Sequence, residues 1–192
     1  MNHEDRYLDL LDEFSSVHPD VRFGKNVRVG RHTIIEHGCE IGDNTRICHL
    51  TAIRPNCRIG SDCLIASLCV IEDRVVMGNK VSIQPQCHVT PGTIFEDNVY
   101  VGVMCIFIET LRIKHGRDYP LLKQAPYVEY GARIGTGSII MPNVRIGTQA
   151  LIAAGSLVTH DCDPFFIYMG RPAKMIRAIP PEEHLPFRAP PP

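Results

Sequence analysis

Residues 23–60 read FGKNVRVGRHTIIEHGCEIGDNTRICHLTAIRPNCRIG, and in them a large apolar residue returns at every sixth position. Phe23, Val29, Ile35, Ile41, Ile47, Ile53 and Ile59 lead on through Ile65, Ile71, Met77, Ile83, Val89, Phe95 and Val101 to Phe107. In a chain that is 44% hydrophobic, chance gives such a run in a fixed phase roughly once in 10⁵ trials. Two residues before nearly every member stands a small or β-branched one: Val27, Thr33, Cys39, Thr45, Thr51, Cys57, Cys63, Cys69, Val75, Val81, Cys87, Thr93, Val99 and Cys105. Residues two apart lie on one side of an extended strand, so both series face the same interior. Six of the eight cysteines fall in the second series, where they read as small buried hydrophobes.

Gly24, Gly42, Gly60 and Gly78 recur at eighteen-residue intervals, so three hexads make one coil. Glycine is expected there because the turns need a positive φ. Stacked coils pair their short strands in parallel, as in a solenoid. The 3.6-residue period of an α-solenoid and the helical crossovers of an open α/β sheet are both missing. The series stops after Phe107 and resumes three residues out of phase at Val128, Ile134, Ile140, Ile146, Ile152 and Val158. Residues 109–126, ETLRIKHGRDYPLLKQAP, are therefore expected to leave the coils as a basic, proline-punctuated loop. Long excursions from a regular scaffold often carry function. The expected fold is all-β, one parallel β-helix of about seven coils over residues 1–179. A short amphipathic helix at 3–16 is expected to cover its open end, and the proline-rich residues 180–192 to form an extended or disordered tail.

A net charge of −1 and a pI near 6.7 give no basic footprint for nucleic acid. No apolar run has the length of a membrane span, and the acidic, amphipathic start MNHEDRYLDLLDEF does not read as a secretory signal. A cytoplasmic protein is expected. Without a signal, and without any CxxC pair, the cysteines suggest neither a disulfide scaffold nor a zinc knuckle.

With its repeated [LIV]-G-x₄ hexads, the chain resembles the hexapeptide-repeat acyltransferase superfamily. The resemblance implies left-handed coils, and a homotrimer with active sites between neighbouring subunits. The segment YGARIGTGSIIMPNVRIGTQALIAAGSLVTHD, followed by MGRPAKMI, is similar to the coenzyme A-binding coils of such enzymes. It implies acetyl-CoA as co-substrate, with Gly137, Ser138, Ala154, Gly155 and Ser156 offering backbone amides to the pantetheine arm. Arg171 and Lys174 would sit near the adenine or its phosphates. Upstream, RICHLTAI, MGNKVSIQPQ and EDNVYVGVMCIFIE resemble the N-acetyltransferases of nucleotide-linked 3-amino sugars. That branch acts in surface polysaccharide biosynthesis, so the implied reaction is acetylation of the amino group of a nucleotide sugar. One departure stands out: Glu109 occupies a position where that branch has Asn.

Aminolysis of a thioester needs a neutral amine, a proton acceptor and donors for the oxyanion. Glu109, at the root of the loop, is a candidate to position the amine and take its proton; otherwise it is a solvated loop carboxylate. His115, inside the loop, could reach a neighbouring subunit. Gln84 and His88 face outward just below and are candidates for contact with sugar or nucleotide. His37, in IIEHGCEIG, locally resembles the catalytic histidine motif of another amino-sugar branch. It lies about four coils from Phe107, some ~19 Å at 4.8 Å per strand, so it is not expected to act. His32 and His37 share a spacing seen in γ-class carbonic anhydrases, but the third histidine two coils away is missing, and no metal is expected. Other acceptors (serine, an antibiotic, a simple sugar) and a non-catalytic scaffold remain open alternatives.

Overall fold

The structure is a computed structural model that describes residues 15–186. Among these, twenty-two two-residue strands run from Ser16–Val17 to Leu157–Val158, and the second residue of nearly every one is buried. Strands eighteen residues apart pair in parallel register, for example Ile35↔Ile53 and Ile53↔Ile71. The result is three flat faces around one core. Face A has eight strands, starting at Ser16–Val17 and ending at Leu157–Val158. Face B has seven, from Arg22–Phe23 to Arg145–Ile146. Face C has nine, from Arg28–Val29 to Leu151–Ile152 and then Phe166–Gly170 and Ala173–Ala178, the last pair antiparallel. This is a parallel β-helix of hexapeptide repeats with the architecture of the left-handed class.

The interior is a column of isoleucines at or near zero exposure, closed near the loop by Phe95 and Phe107, whose rings meet edge to face at 5.2 Å. Phe23, on the first rung of face B, is 39% exposed, because a β-helix covers each core residue with the rung on either side. The small inward series does more than fill space. Thr33, Thr45 and Thr51 each donate from Oγ1 to a carbonyl of the following coil, at 2.9, 2.7 and 3.0 Å. The thiols of Cys39, Cys57, Cys69 and Cys87 reach the equivalent carbonyls at 3.1, 3.0, 3.2 and 3.1 Å. Cysteine here replaces threonine as a small donor, which corrects its reading as a mere hydrophobe.

The turns also correct the reading of the glycines. Positive φ recurs six residues apart at Asn26, His32, Gly38, Asn44, Leu50, Asn56, Asp62 and Leu68, but Gly24, Gly42, Gly60 and Gly78 do not have it. Those glycines are small for a different reason. A Cβ on Gly60 would stand 2.4 Å from the carbonyl oxygen of Gly78, and one on Gly42 would stand 2.6 Å from the carbonyl carbon of Gly60. Successive coils touch backbone to backbone along this line.

Three edges separate the faces. The C/A edge carries His32, Leu50, Leu68, Gln86, Met104, Gly137 and Gly155; the A/B edge carries Gly38, Asn56, Arg74, Gly92 and Asn143, all at positive φ. The excursion leaves the A/B edge after Ile106–Phe107 and returns at Tyr127–Val128, where Phe95 pairs with Val128 and restores the register. It is an arm closed at its base by an antiparallel bridge between Thr110 and Lys123.

The helix expected at 3–16 lies outside the described residues except at its end, where Ser16 already belongs to a strand. The tail departs from the expected extended or disordered chain as far as residue 186. Pro181–Glu183 forms a 3₁₀ turn. Gln149 holds Leu185 through both amide atoms, at 2.6 Å from its N–H and 3.2 Å from its carbonyl. The His184 ring packs against Phe165 at 4.7 Å, inclined to it by 41°.

Candidate active site

At the C-terminal end of the C/A edge the side-chain wall stops. Cβ atoms built on Gly137 and Gly155 meet nothing within 4 Å, and the two residues stack one coil apart at φ of 70° and 71°. Below them the same edge carries Met104, Gln86, Leu68 and Leu50, of which the three apolar ones are each about half exposed. The edge therefore offers an open ledge above an apolar ridge, a shape suited to a slender alkyl-amide arm. The amides expected to serve that arm are only partly available. Those of Gly137 and Gly155 already donate to Val103 and Thr136, each at 2.8 Å. The hydroxyls of Ser138 and Ser156 are fully buried and donate at 2.7 Å to Gly135 and Ala153. What Gly137 and Gly155 supply is open space, while Ala154, exposed beside Gly155, presents the surface itself. Arg171 and Lys174 come to the top of the same edge. Their hairpin is tied to the ledge where the amide of Gly170 donates to Ser156 Oγ at 3.3 Å, and both side chains are exposed.

A second group of candidates lies across face A. Glu109 is only 15% exposed, accepts a short hydrogen bond from Thr90 Oγ1 and pairs with Lys123 Nζ at 3.1 Å. Burial would raise its carboxyl, but the Thr90 and Lys123 contacts outweigh that and hold it below the ordinary carboxylate range. Glu109 is thus a partnered carboxylate at the base of the arm and not the solvated one given as its alternative reading. His88 lies on the same outward strip as Thr90, two residues earlier, and its Nε2 stands 3.8 Å from Glu72 Oε1 on the coil below. Glu72, Thr90 and Lys123 were not legible as site residues. For Glu72 alone a signal was available in the eighteen-residue coil, which sets it, sixteen residues before His88, diagonally across neighbouring strands.

The other candidates are dispersed. Gln84 lies on the face C side of the C/A edge and donates to Ser82 Oγ at 3.0 Å. His115 is exposed at the far end of the arm, and among the described residues no hydrogen bond or ion pair joins its ring to Glu109. His32 and His37 stand on opposite edges of face A; His37 instead meets the His18 ring at 5.8 Å.

Residues 38–73 match the family described as bacterial transferase hexapeptide (six repeats). The chain is 38% identical over 66 residues to the galactoside O-acetyltransferase of Lactococcus lactis, spanning 34% of this chain and 30% of that one. It is 40% identical over 55 residues to the bifunctional protein GlmU of Thermotoga petrophila, spanning 29% of this chain and 12% of that one. The chain thus spans less than a third of these curated relatives. Among solved structures, the polySia-specific acetyltransferase NeuO superposes with a TM-score of 0.56 at 16% identity, over 85% of this chain and 83% of that one. A hexapeptide-repeat acetyltransferase of Vibrio cholerae, complexed with acetyl coenzyme A, superposes at 0.53 with 19% identity, over 74% and 72%. Residues 38–73 thus match the repeat of the bacterial hexapeptide transferases, and two-residue strands at the same six-residue spacing recur on either side of the arm, from Ser16–Val17 to Ile106–Phe107 and from Tyr127–Val128 to Leu157–Val158.

Proposed function

We propose that the protein is an acetyl-CoA-dependent acyltransferase that acetylates the amino group of a nucleotide-linked sugar. The observation that carries the reading is the side-chain-free ledge at Gly137 and Gly155, capped by Arg171 and Lys174, on an otherwise side-chain-lined edge. Pantetheine lies along that ledge, and the two cations take the phosphates at its head. Similarity to named acetyltransferases, one of them crystallised with acetyl-CoA, supports the same reading.

The ledge and the Glu109 group flank face A from opposite edges. From Met104 to Glu109 the chain crosses five residues, ~16 Å when extended, too far for one thioester to meet both within a protomer. A homotrimer removes the difficulty, because it sets the C/A edge of one subunit beside the A/B edge of the next. Face A has the surface for it: Ile34 and Ile106 are 44% and 42% exposed, beside Leu50, Leu68 and Met104. In this arrangement His88 accepts the proton of the attacking amine, and Glu72 stabilises the imidazolium so formed. Glu109 keeps the arm closed over the acceptor. His88→Asn is expected to lower kcat by about 10²-fold or more at unchanged KM for acetyl-CoA, measured by thiol release. Glu109→Gln is expected to raise KM for the amine more than it lowers kcat. Wild-type turnover in His88→Asn would remove the proton role.

A further inference from the structure

The N-terminal coils treat their arginines differently on the three faces. On face B, Glu40 sits in register between Arg22 and Arg58 and pairs with Arg22 at 3.0 Å. On face A, Arg54 pairs with Glu36 one coil below at 2.5 Å. On face C the chain instead sets Arg28 directly against Arg46, and the next rung is Leu64. Like charges facing each other across neighbouring strands are destabilising. Arg46 is exposed and makes no ion pair among the described residues.

These two arginines border a partly enclosed cleft of about 100 Å³ whose wall also includes Arg31, Cys48 and His49. Among the described residues no carboxylate lines it. His49 Nδ1 accepts the amide of Arg31 at 2.8 Å, which leaves Nε2 to carry the ring proton and act as a donor. Arg28 and Arg31 take part in further interactions, so Arg46 and His49 are the donors most open to a ligand. Guanidinium groups recognise carboxylates and phosphates through paired N–H donors, and of the two a phosphate keeps a further acceptor oxygen for a neighbouring donor such as His49 Nε2.

We propose that this cleft binds a phosphate or diphosphate group of a ligand. Cys48 and Gln84 occupy equivalent positions two coils apart, ~10 Å, so a diphosphate held here leaves its substituent room to extend toward the Gln84 and His88 region. Binding itself is independent of the acyltransferase reading and is tested without turnover.

Cys48 provides the probe, because the other seven cysteines of the chain are buried. The full-length protein is alkylated with iodoacetamide, a neutral reagent, and the Cys48 peptide is followed by mass spectrometry. Pyrophosphate at millimolar concentration is expected to slow alkylation roughly fivefold relative to sodium chloride of equal ionic strength. Arg46→Gln should abolish that protection, whereas Arg58→Gln, outside the cleft, should keep it. A nucleoside diphosphate protecting more strongly than pyrophosphate would make the ligand a nucleotide, and equal protection would make it a free phosphate group. Equal rates in pyrophosphate and chloride, or protection that survives Arg46→Gln, would overturn the proposal. The wild-type comparison decides it even if the Arg46 variant fails to fold.

Discussion

One position in every hexad pays a conformational cost, and the chain meets it unevenly. Asn26, Asn44 and Asp62 adopt positive φ and also form a ladder, Asn26 Nδ2 to Asn44 Oδ1 at 3.1 Å and Asn44 Nδ2 to Asp62 Oδ1 at 3.2 Å. Lys80 continues the column at φ 57° with a side chain that tolerates this region poorly, before Asn98 resumes it. Lys80→Asn is expected to raise stability by about 1 kcal/mol, read as a higher midpoint in urea. The glycines divide the same way. Gly60→Ala drives a methyl into the backbone of the next coil and should prevent folding or cost more than about 3 kcal/mol. Gly155→Ala meets only the cost of its φ, about 1 kcal/mol, and should act instead on the KM for acetyl-CoA.

Among the elements, the outer part of face B near the arm is held by buried charge. Glu129 accepts from Thr148 N at 2.8 Å and pairs with Arg145, whose guanidinium lies 5.0 Å from the Tyr127 ring centre. The Tyr127 hydroxyl donates to Glu96 at 2.6 Å, which pushes its pKa up to about 12. Burial works against the charge on Glu129, but Thr148 and Arg145 prevail and lower its pKa from 4.5. A carboxyl whose folded pKa is lowered contributes stability above its unfolded value and loses it as pH falls through the folded one. Acid unfolding below about pH 4.5 should therefore be less steep in Glu129→Gln, which also starts from lower stability at pH 7. The coils, the phase break and the arm were legible because each leaves a trace in a six-residue period. The strap formed by residues 181–186 was not, since Gln149 meets Leu185 across thirty-six residues with no periodic signal. The pairing of Glu109 with Thr90 escaped for a similar reason: a carboxylate at a loop root looks the same in sequence whether it is free or claimed. Gln149→Ala should release the strap, seen as faster hydrogen exchange at the Leu185 amide with the coils unchanged.

For the molecule as a whole, the surface is not three equivalent sides. Faces B and C carry most of the strand arginines, while the exposed Ile34 and Ile106 of face A sit next to the ridge of Leu50, Leu68 and Met104. Such a strip on a solenoid side is the kind that copies of one chain cover for each other. Ile106→Asp, on an outward position, is expected to leave the circular dichroism unchanged, convert the proposed trimer to a monomer in sedimentation and abolish thiol release. A monomeric wild type would refute the shared site.

The coil is also a unit of arithmetic. Fifteen extra residues enter at the arm without disturbing the core, because a corner can lengthen freely while Phe95 still finds Val128. Inside the tube the chain has no such latitude. Excising a full set of eighteen, such as 61–78, shortens the prism by one storey and returns every later side chain to its own wall. Excising six would turn all that follows by a third of a revolution and carry Gly137 and Gly155 away from the ridge beneath them. Natural length variants of this protein should therefore differ by whole storeys or at the corners.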